Sequence, residues 1–336
     1  MLIRTNHTTL VTVTYGSRWH LLRRALTSAR IEGVAHAIVV ANGAQEDIKG
    51  LAFQEFGTFT TVVTLPNNLG SAGGFKQGIS TAMAIGTSYI LLLDDDNELQ
   101  PGCLSALTAA YQDRVRSVRP EDLSVLAFRP DHQADIANGA TASRVNPRPS
   151  SFFGFHVLDI PYKFWRRFHI KKTVIPGQKQ ETFCLDVAPY SGMLFHTKVI
   201  QAHGLPNESM VLYADDTEFS YRLTAAGGEI RLVTAAQIKD LDTSWNVKSR
   251  FSSSFDQWLS GGNDFRAFYA ARNQAYFECV YRKGSGVIRF INRSVYLALL
   301  WLRALQTGRR QRHTLLLDAI KNGESSRLGL DPRFPI

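Results

Sequence analysis

The sequence predicts an α/β fold in which a mostly parallel mixed sheet carries helices on both faces and a helical C-terminal extension follows. Three observations predict it. β-branched or apolar runs alternate with helical periodicity up to Leu93, each run stops in small or polar residues, and beyond Phe265 the apolar spacing is helical.

Residues 9–14 are β-branched and alternating, and after Tyr15, Gly16 and Ser17 a helical pattern runs through Leu21, Leu22, Ala25 and Leu26. Residues 37–41 give a second strand that stops at Asn42 and Gly43, and residues 60–65 a third that stops at Pro66 and two asparagines. A fourth strand, residues 90–93, stops in Asp94, Asp95 and Asp96. The carboxyl end of such a strand is where open α/β sheets place ligands. On an extended strand Asp94 and Asp96 share one side while Asp95 faces away. Two hard oxygen ligands at that spacing suit Mg²⁺ or Mn²⁺ bound with substrate phosphates. A solvated turn or a helix cap formed by Asp96 or Asn97 accounts for the same residues.

Residues 67–78 lead from the third strand into a helix. Glycines 70, 73 and 74 allow close backbone approach to a ligand, and a helix N-terminus favours a diphosphate. The stretch matches neither the dinucleotide fingerprint nor a Walker loop, so a structural loop competes with that reading.

Residues 141–180 hold eight basic residues against the single acid Asp159, interleaved with Phe152, Phe153, Phe155, Trp165 and Phe168. Such a mixture suits an interfacial membrane element; a solvated face over buried aromatics is the competing reading. Residues 189–195 read as a turn entering a strand. A helix starting near Asp215 puts Phe219, Leu223 and Ala226 on one apolar face, with Asp215 and Asp216 at the end that carries orphan N–H groups. The pair serves either as a cap or as a general base beside its positioning partner. A short strand at 230–233 follows, then helical patterns from Phe265 and over residues 287–305. The last includes Arg289, Arg293 and Arg303, and residues 282–313 hold eight Lys or Arg and no acid. Such a helix lies on a membrane surface or packs on the rest of the protein.

A formal charge of +9 with 29 acidic residues means that base is concentrated locally, which favours anionic partners. The basic zones contain no recognisable nucleic-acid module, so nucleic acid is not expected as a partner. Three widely spaced cysteines read as reduced thiols, without a disulfide frame or zinc site. With no signal-peptide pattern and no apolar run of spanning length, a cytoplasmic protein, soluble or peripheral, is expected.

Four stretches stand in the order of one family: residues 11–15, the Asn68-Leu-Gly-Ser-Ala-Gly-Gly loop, Leu93-Asp-Asp-Asp, and Ala214-Asp-Asp-Thr-Glu-Phe-Ser-Tyr-Arg. Together they resemble an inverting family-2 glycosyltransferase of the GT-A fold. Tyr269-Ala-Ala-Arg-Asn, Asp318-Ala-Ile-Lys-Asn-Gly and Gly329 are similar to the ends of bacterial rhamnosyl- and galactofuranosyltransferases. The resemblance implies a Rossmann-like catalytic domain at 1–245 and a helical, basic, membrane-associating region at 246–336. Within the catalytic domain, residues 1–100 would form the nucleotide-sugar half and 101–245 the acceptor half, with the 141–180 stretch as an insertion.

By position, the resemblance places Thr14, Tyr15, Asn42, Asn68, Gly73 and Gly74 around the nucleotide, with Asp94 and Asp95 at the donor. It assigns Asp94 and Asp96 to a divalent cation, Asp216 to the catalytic base with Asp215 in support, and Ser191, Gly192 and Trp245 to the acceptor region. Galactofuranosyltransferases carry a metal-binding histidine after the base; here only Asp240 and Asp242 stand there, and Asp240 is the expected third ligand. Ala41 and Ala214 also depart from the family pattern. The triple aspartate is more like the galactofuranosyltransferases and points to UDP-galactofuranose, with dTDP-rhamnose as the alternative donor. A non-catalytic nucleotide-sugar-binding protein is the alternative of another class. The expected acceptor is a glycan or polyprenyl-linked oligosaccharide at the inner face of the cytoplasmic membrane, in bacterial cell-surface polysaccharide synthesis.

Overall fold

The computed structural model describes residues 8–130, 132–133, 136, 146, 148–161, 182–242, 253–282 and 284–336. The N-terminal half alternates β1 (Thr8–Gly16), α1 (Trp19–Ile31), β2 (His36–Ala44), α2 (Ile48–Phe56), β3 (Thr60–Leu65), α3 (Gly70–Ala84) and β4 (Tyr89–Leu92). All four strands that the alternating pattern predicted are present and parallel, in the spatial order β3-β2-β1-β4.

The next elements are β5 (Asn97–Leu99), α4 (Cys103–Arg114), β6 (Leu123–Phe128), β7 (Thr182–Leu185), β8 (Met193–His196), α5 (Lys198–His203), α6 (Asp215–Ala225) and β9 (Glu229–Asp240). They extend the sheet in the order β4-β8-β6-β9-β5, with β7 on β9. Here β8 runs antiparallel to β4 and β6, and β9 antiparallel to β5 and β7, so the sheet is mixed. The strand expected at 230–233 continues to Asp240, which carries the chain from the sheet interior to the rim beside Asn97.

Side-chain alternation divides the core. Leu10, Val39 and Leu91 face α1 and α4, while Val11, Val13, Ile38, Val40 and Leu92 face α3 and α6. A third core joins α7 (Ser254–Ser260), α8 (Asp264–Val280), α9 (Gly286–Gln306) and α10 (Arg310–Glu324) around Phe268, Tyr269 and Tyr296. Three of the five aromatics from the basic-aromatic stretch belong there: Phe152, Phe153 and Phe155 pack around Tyr296, so for these the buried reading holds. Trp165 and Phe168 lie outside the described residues.

Candidate active site

The rim of the sheet is built by long-range pairing. Strand β4 ends at Leu92, and residues 95 and 96 already form a turn, so the alternation expected of an extended strand does not apply to the three aspartates. Asp95 is buried, accepts from Thr14 Oγ1 at 2.7 Å and pairs with Arg18 Nε at 3.0 Å. The same guanidinium reaches Asp96 through Nη2 at 2.9 Å. Arg18 thus gathers Asp95 and Asp96, and Asp94 alone of the three lines the cleft that reaches the start of α6. Tyr15 is half-exposed under Arg18, whose guanidinium lies 5.1 Å from the ring centroid.

Beneath this turn sit Ser191 and Gly192, both buried. Ser191 Oγ donates to Asn97 Oδ1 and accepts from the Asp94 N–H at 3.2 Å. At Gly192, whose φ is +86°, a Cβ would come within 2.8 Å of Ala127 Cβ. The pairing of β8 with β4 presses the turn before β8 against the aspartate loop, so these two residues, expected in the acceptor region, support that loop from below. Trp245 lies outside the described residues.

The glycine-rich stretch is closely packed against β1. At Gly74 a Cβ would fall 2.5 Å from Val13 Cγ1, and at Gly73 it would fall 2.6 Å from Leu69 Cβ. Helix α3 therefore lies directly on β1 and β2, and the faces freed by these glycines meet protein. Gly70 has φ +73°, and a Cβ there would meet the Val211 carbonyl oxygen at 2.0 Å. Asn42, expected beside the nucleotide base, is buried and its carboxamide brackets this turn. It donates to Asn68 Oδ1 at 2.9 Å and to the Gly70 carbonyl at 3.0 Å, and accepts from the Leu69 N–H at 2.8 Å. Asn68 Oδ1 also accepts from the Gly70 N–H at 2.9 Å.

Across the cleft, three non-glycine residues before α6 hold left-handed backbone: Val211 (φ 69°), Tyr213 (φ 64°) and Ala214 (φ 57°). Such positions persist only where surrounding structure over-determines them. Asn273 Nδ2 donates to the carbonyls of Met210 at 2.6 Å, Leu212 at 2.8 Å and Tyr213 at 2.9 Å. Arg272 adds bonds to the Met210 and Gly329 carbonyls. The Arg-Asn pair of α8 thereby fixes the loop that delivers Asp215 and Asp216 to the start of α6.

Asp215 is buried and accepts from Ser71 Oγ at 2.9 Å. Asp216 is more accessible, and its Oδ1 accepts from the Thr217 N–H at 2.6 Å and Thr217 Oγ1 at 3.3 Å. Both aspartates share with Asp94 a cleft of about 410 Å³, walled by Tyr190 and by Trp258 and Gln274 from the C-terminal helices. Burial pushes the carboxyls of Asp94, Asp215 and Asp216 above their ordinary range, with neighbouring carboxylates adding to the effect at Asp94 and Asp215. Arg129 stands 4.0 Å from Asp94 Oδ2 and opposes the shift.

Two of the expected metal ligands are therefore neighbours, and the third is otherwise engaged. Asp240 Oδ1 accepts from Arg129 Nη2 and from Asn97 Nδ2 at 2.8 Å. Among the described residues no three His, Cys, Asp or Glu side chains are grouped to hold a metal ion. Asp96 is also engaged, by Arg18, so of the expected ligands Asp94 alone faces the cleft, and a hard cation there would take most of its shell from phosphate oxygens and water.

Residues 9–154 match the family description Glycosyl transferase family 2. That match covers the N-terminal part of the chain, from β1 to the residues that follow β6. It is 24% identical over 216 residues to Galactofuranosyltransferase GlfT1 of Mycolicibacterium smegmatis, covering 61% of this chain and 63% of that protein. Over 258 residues it is 21% identical to the Low-salt glycan biosynthesis hexosyltransferase Agl10 of Haloferax volcanii, covering 76% of this chain and 72% of that protein. A crystal structure of GalNAc-T7 with UDP, GalNAc and Mn²⁺ superposes with TM-score 0.50 at 10% identity, over 85% of this chain and 54% of that one; the likeness is one of fold. The chain thus spans less than two thirds of GlfT1 and about half of the GalNAc-T7 chain. The mixed sheet flanked by helices has the GT-A arrangement, and the loop of residues 210–214 and all four C-terminal helices lie beyond the matched span.

Arg18, Arg129, Ser71 and Asn273 escaped the sequence reading, although Ser71 and Asn273 stand within the motifs that carry the resemblance. A lone basic or polar residue has no periodic signature, and each of these acts through a partner at least 60 residues away.

Raised carboxyls also set a stability dependence. Glu278 accepts from the Phe153 N–H at 2.8 Å, and burial pushes its carboxyl from 4.5 up to about 7. The fold binds more protons than the unfolded chain across that window, so stability is greatest below it and falls as pH rises through it. Thermal unfolding followed from pH 5 to pH 8 is expected to show a falling midpoint. Glu278→Gln should flatten that slope; an unchanged slope would remove Glu278 from the account.

Proposed function

We propose that the protein is an inverting, metal-dependent glycosyltransferase that moves galactofuranose from UDP-galactofuranose onto a glycan or lipid-linked oligosaccharide at the cytoplasmic membrane surface. One observation carries the reading: the accessible Asp216 carboxylate shares a single cleft with Asp94, which comes from the opposite, donor half of the sheet. A base placed across the cleft from the donor suits removal of the acceptor hydroxyl proton as that oxygen attacks the anomeric carbon. The new bond forms on the face opposite the departing nucleoside diphosphate, which inverts the configuration. Thr217 occupies Oδ1 of Asp216 and leaves Oδ2 for the acceptor hydroxyl. Asp215, tied to Ser71, holds the start of α6 in place.

Asp94 and Asp96 would hold a divalent cation. Bound together with the donor diphosphate, Mg²⁺ or Mn²⁺ offsets the charge that develops on the leaving group. The name of GlfT1 supports galactofuranose as the sugar, and the triple aspartate supports the same choice.

A thermal-shift panel of UDP-galactofuranose, dTDP-rhamnose and GDP sugars, each with and without Mn²⁺, tests donor and cation together. UDP-galactofuranose with Mn²⁺ is expected to stabilise the fold by about 3 kcal/mol at a hundredfold excess over its dissociation constant. Chelation is expected to abolish most of that shift along with turnover. A shift given by dTDP-rhamnose alone would replace the donor, and full turnover after exhaustive chelation would remove the cation.

A further inference from the structure

The 21 residues of α9 reverse the arrangement expected of a surface helix. Its arginines turn inward: Arg293 pairs with Glu324 at 2.7 Å, Arg303 with Asp256 at 2.7 Å, and Arg289 donates to the Glu278 carbonyl. Asn292, Tyr296, Leu300 and Ala304 form the buried stripe. The side facing solvent is apolar, with Val287 70%, Phe290 67%, Ile291 44%, Trp301 50% and Leu302 47% exposed. From Val287 to Leu302 this face runs roughly 22 Å along the helix. Contiguous exposed apolar surface of that extent marks an interaction site.

The far end of the face opens into a groove of about 420 Å³ between α9 and α10, lined by Trp301, Leu305, Arg310 and His313. His313 is 8% exposed, and its Nε2 is buried without a hydrogen-bond partner. Arg310, which lines the groove, is exposed. A cation and an unsatisfied imidazole nitrogen beside an indole suit one anionic group at an apolar boundary, which is the chemistry of an acidic phospholipid headgroup.

We infer that the outward face of α9 docks the protein on an anionic bilayer, with the Trp301–Arg310–His313 groove receiving a lipid phosphate. The face lies in the membrane interface and does not span it; no helix among the described residues is long and apolar enough to cross a membrane. Arg303 ties α9 to Asp256, whose neighbours Gln257 and Trp258 line the catalytic cleft. The docked bilayer therefore lies one helix away from the cleft wall, on the side where a lipid-linked acceptor would arrive. This use of the surface rests on the acceptor proposed above, whereas vesicle binding is measured without donor or acceptor, so the two fail separately.

Purified full-length protein is expected to sediment with phosphatidylcholine vesicles containing phosphatidylglycerol at low salt, and to release as salt rises. The tryptophan emission should shift to the blue on binding, and Trp301→Phe should remove most of that shift. The double variant Ile291→Glu, Leu302→Glu is expected to lower the bound fraction at least about tenfold with an unchanged unfolding midpoint, because both side chains are exposed. The double variant Arg310→Gln, His313→Gln should remove the preference for anionic over neutral vesicles. Equal binding to both vesicle types by the wild type overturns the headgroup site. Wild-type binding by the glutamate variant overturns the docking face. Sedimentation equilibrium showing a dimer that the glutamate variant converts to monomer assigns the face to a second copy of the chain and overturns the lipid reading.

Discussion

Replacing Asp216 with asparagine is expected to lower sugar transfer by about 10²- to 10⁴-fold while leaving nucleotide binding and thermal unfolding near wild-type values. The carboxamide keeps an oxygen for the Thr217 N–H and hydroxyl, so the first turn of α6 retains its local bonds. It also removes one charge from a cleft in which burial already disfavours the ionised form, so no loss of folding should accompany the loss of turnover. The same raised carboxyl predicts the pH behaviour of the wild type. A base must be ionised to accept a proton, so the acidic limb of kcat/KM should lie above the usual carboxylate range and should vanish in the residual activity of Asp216→Asn. Turnover near wild type in that variant would pass the role to another group, and Asp215→Asn would identify whether its neighbour had taken it.

Local periodicity made the parallel strands and the start of α6 legible. Residues 60–65 and the helix beginning at Asp215 fall where the pattern put them because the first is largely β-branched and the second buries the apolar stripe of Phe219 and Leu223. The sheet beyond β4 was harder to read, because the antiparallel insertion of β8 depends on contacts more than 100 residues apart. That same pairing explains why Ser191 and Gly192 lie beneath the aspartates. Asp94 and Asp216 stood out as candidates by residue type, and the structure places both in one cleft, but the sorting of the aspartate triplet was not legible, because Arg18 decides it from a different turn. Helix α9 shows a related limit. An amphipathic pattern reveals that one face differs from the other; the acceptors Glu324, Asp256 and the Glu278 carbonyl determine that its arginines point inward. In the glycine-rich stretch, a glycine that admits a ligand and one that admits a neighbouring valine have the same sequence, so the contacts of Gly74 with Val13 could not be read from it.

Asn273→Ala is expected to cost roughly 3 kcal/mol or more, because it strips one donor from three carbonyls that face a fully buried side chain. The effect should reach catalysis as well. Val211, Tyr213 and Ala214 hold left-handed backbone, each at a cost of about 1–3 kcal/mol, and the bonds from Asn273 and Arg272 are what offset it. Once released, the segment can relax toward ordinary backbone angles and carry Asp215 and Asp216 with it, so kcat should fall further than donor affinity. A comparison of two replacements separates this role from simple packing. Asn273→Asp preserves shape and volume better than alanine does, so a packing role makes it the milder change. A donor role predicts the opposite order, since a carboxylate would keep the oxygen that accepts from Arg272 Nε but set its other oxygen against three carbonyl oxygens. Urea unfolding together with kcat measured for both variants decides between them. An aspartate variant more stable than the alanine variant would remove the carbonyl clamp and leave the loop's strain to be held by Arg272 and by the Ala72 N–H, which donates to the Val211 carbonyl at 3.1 Å.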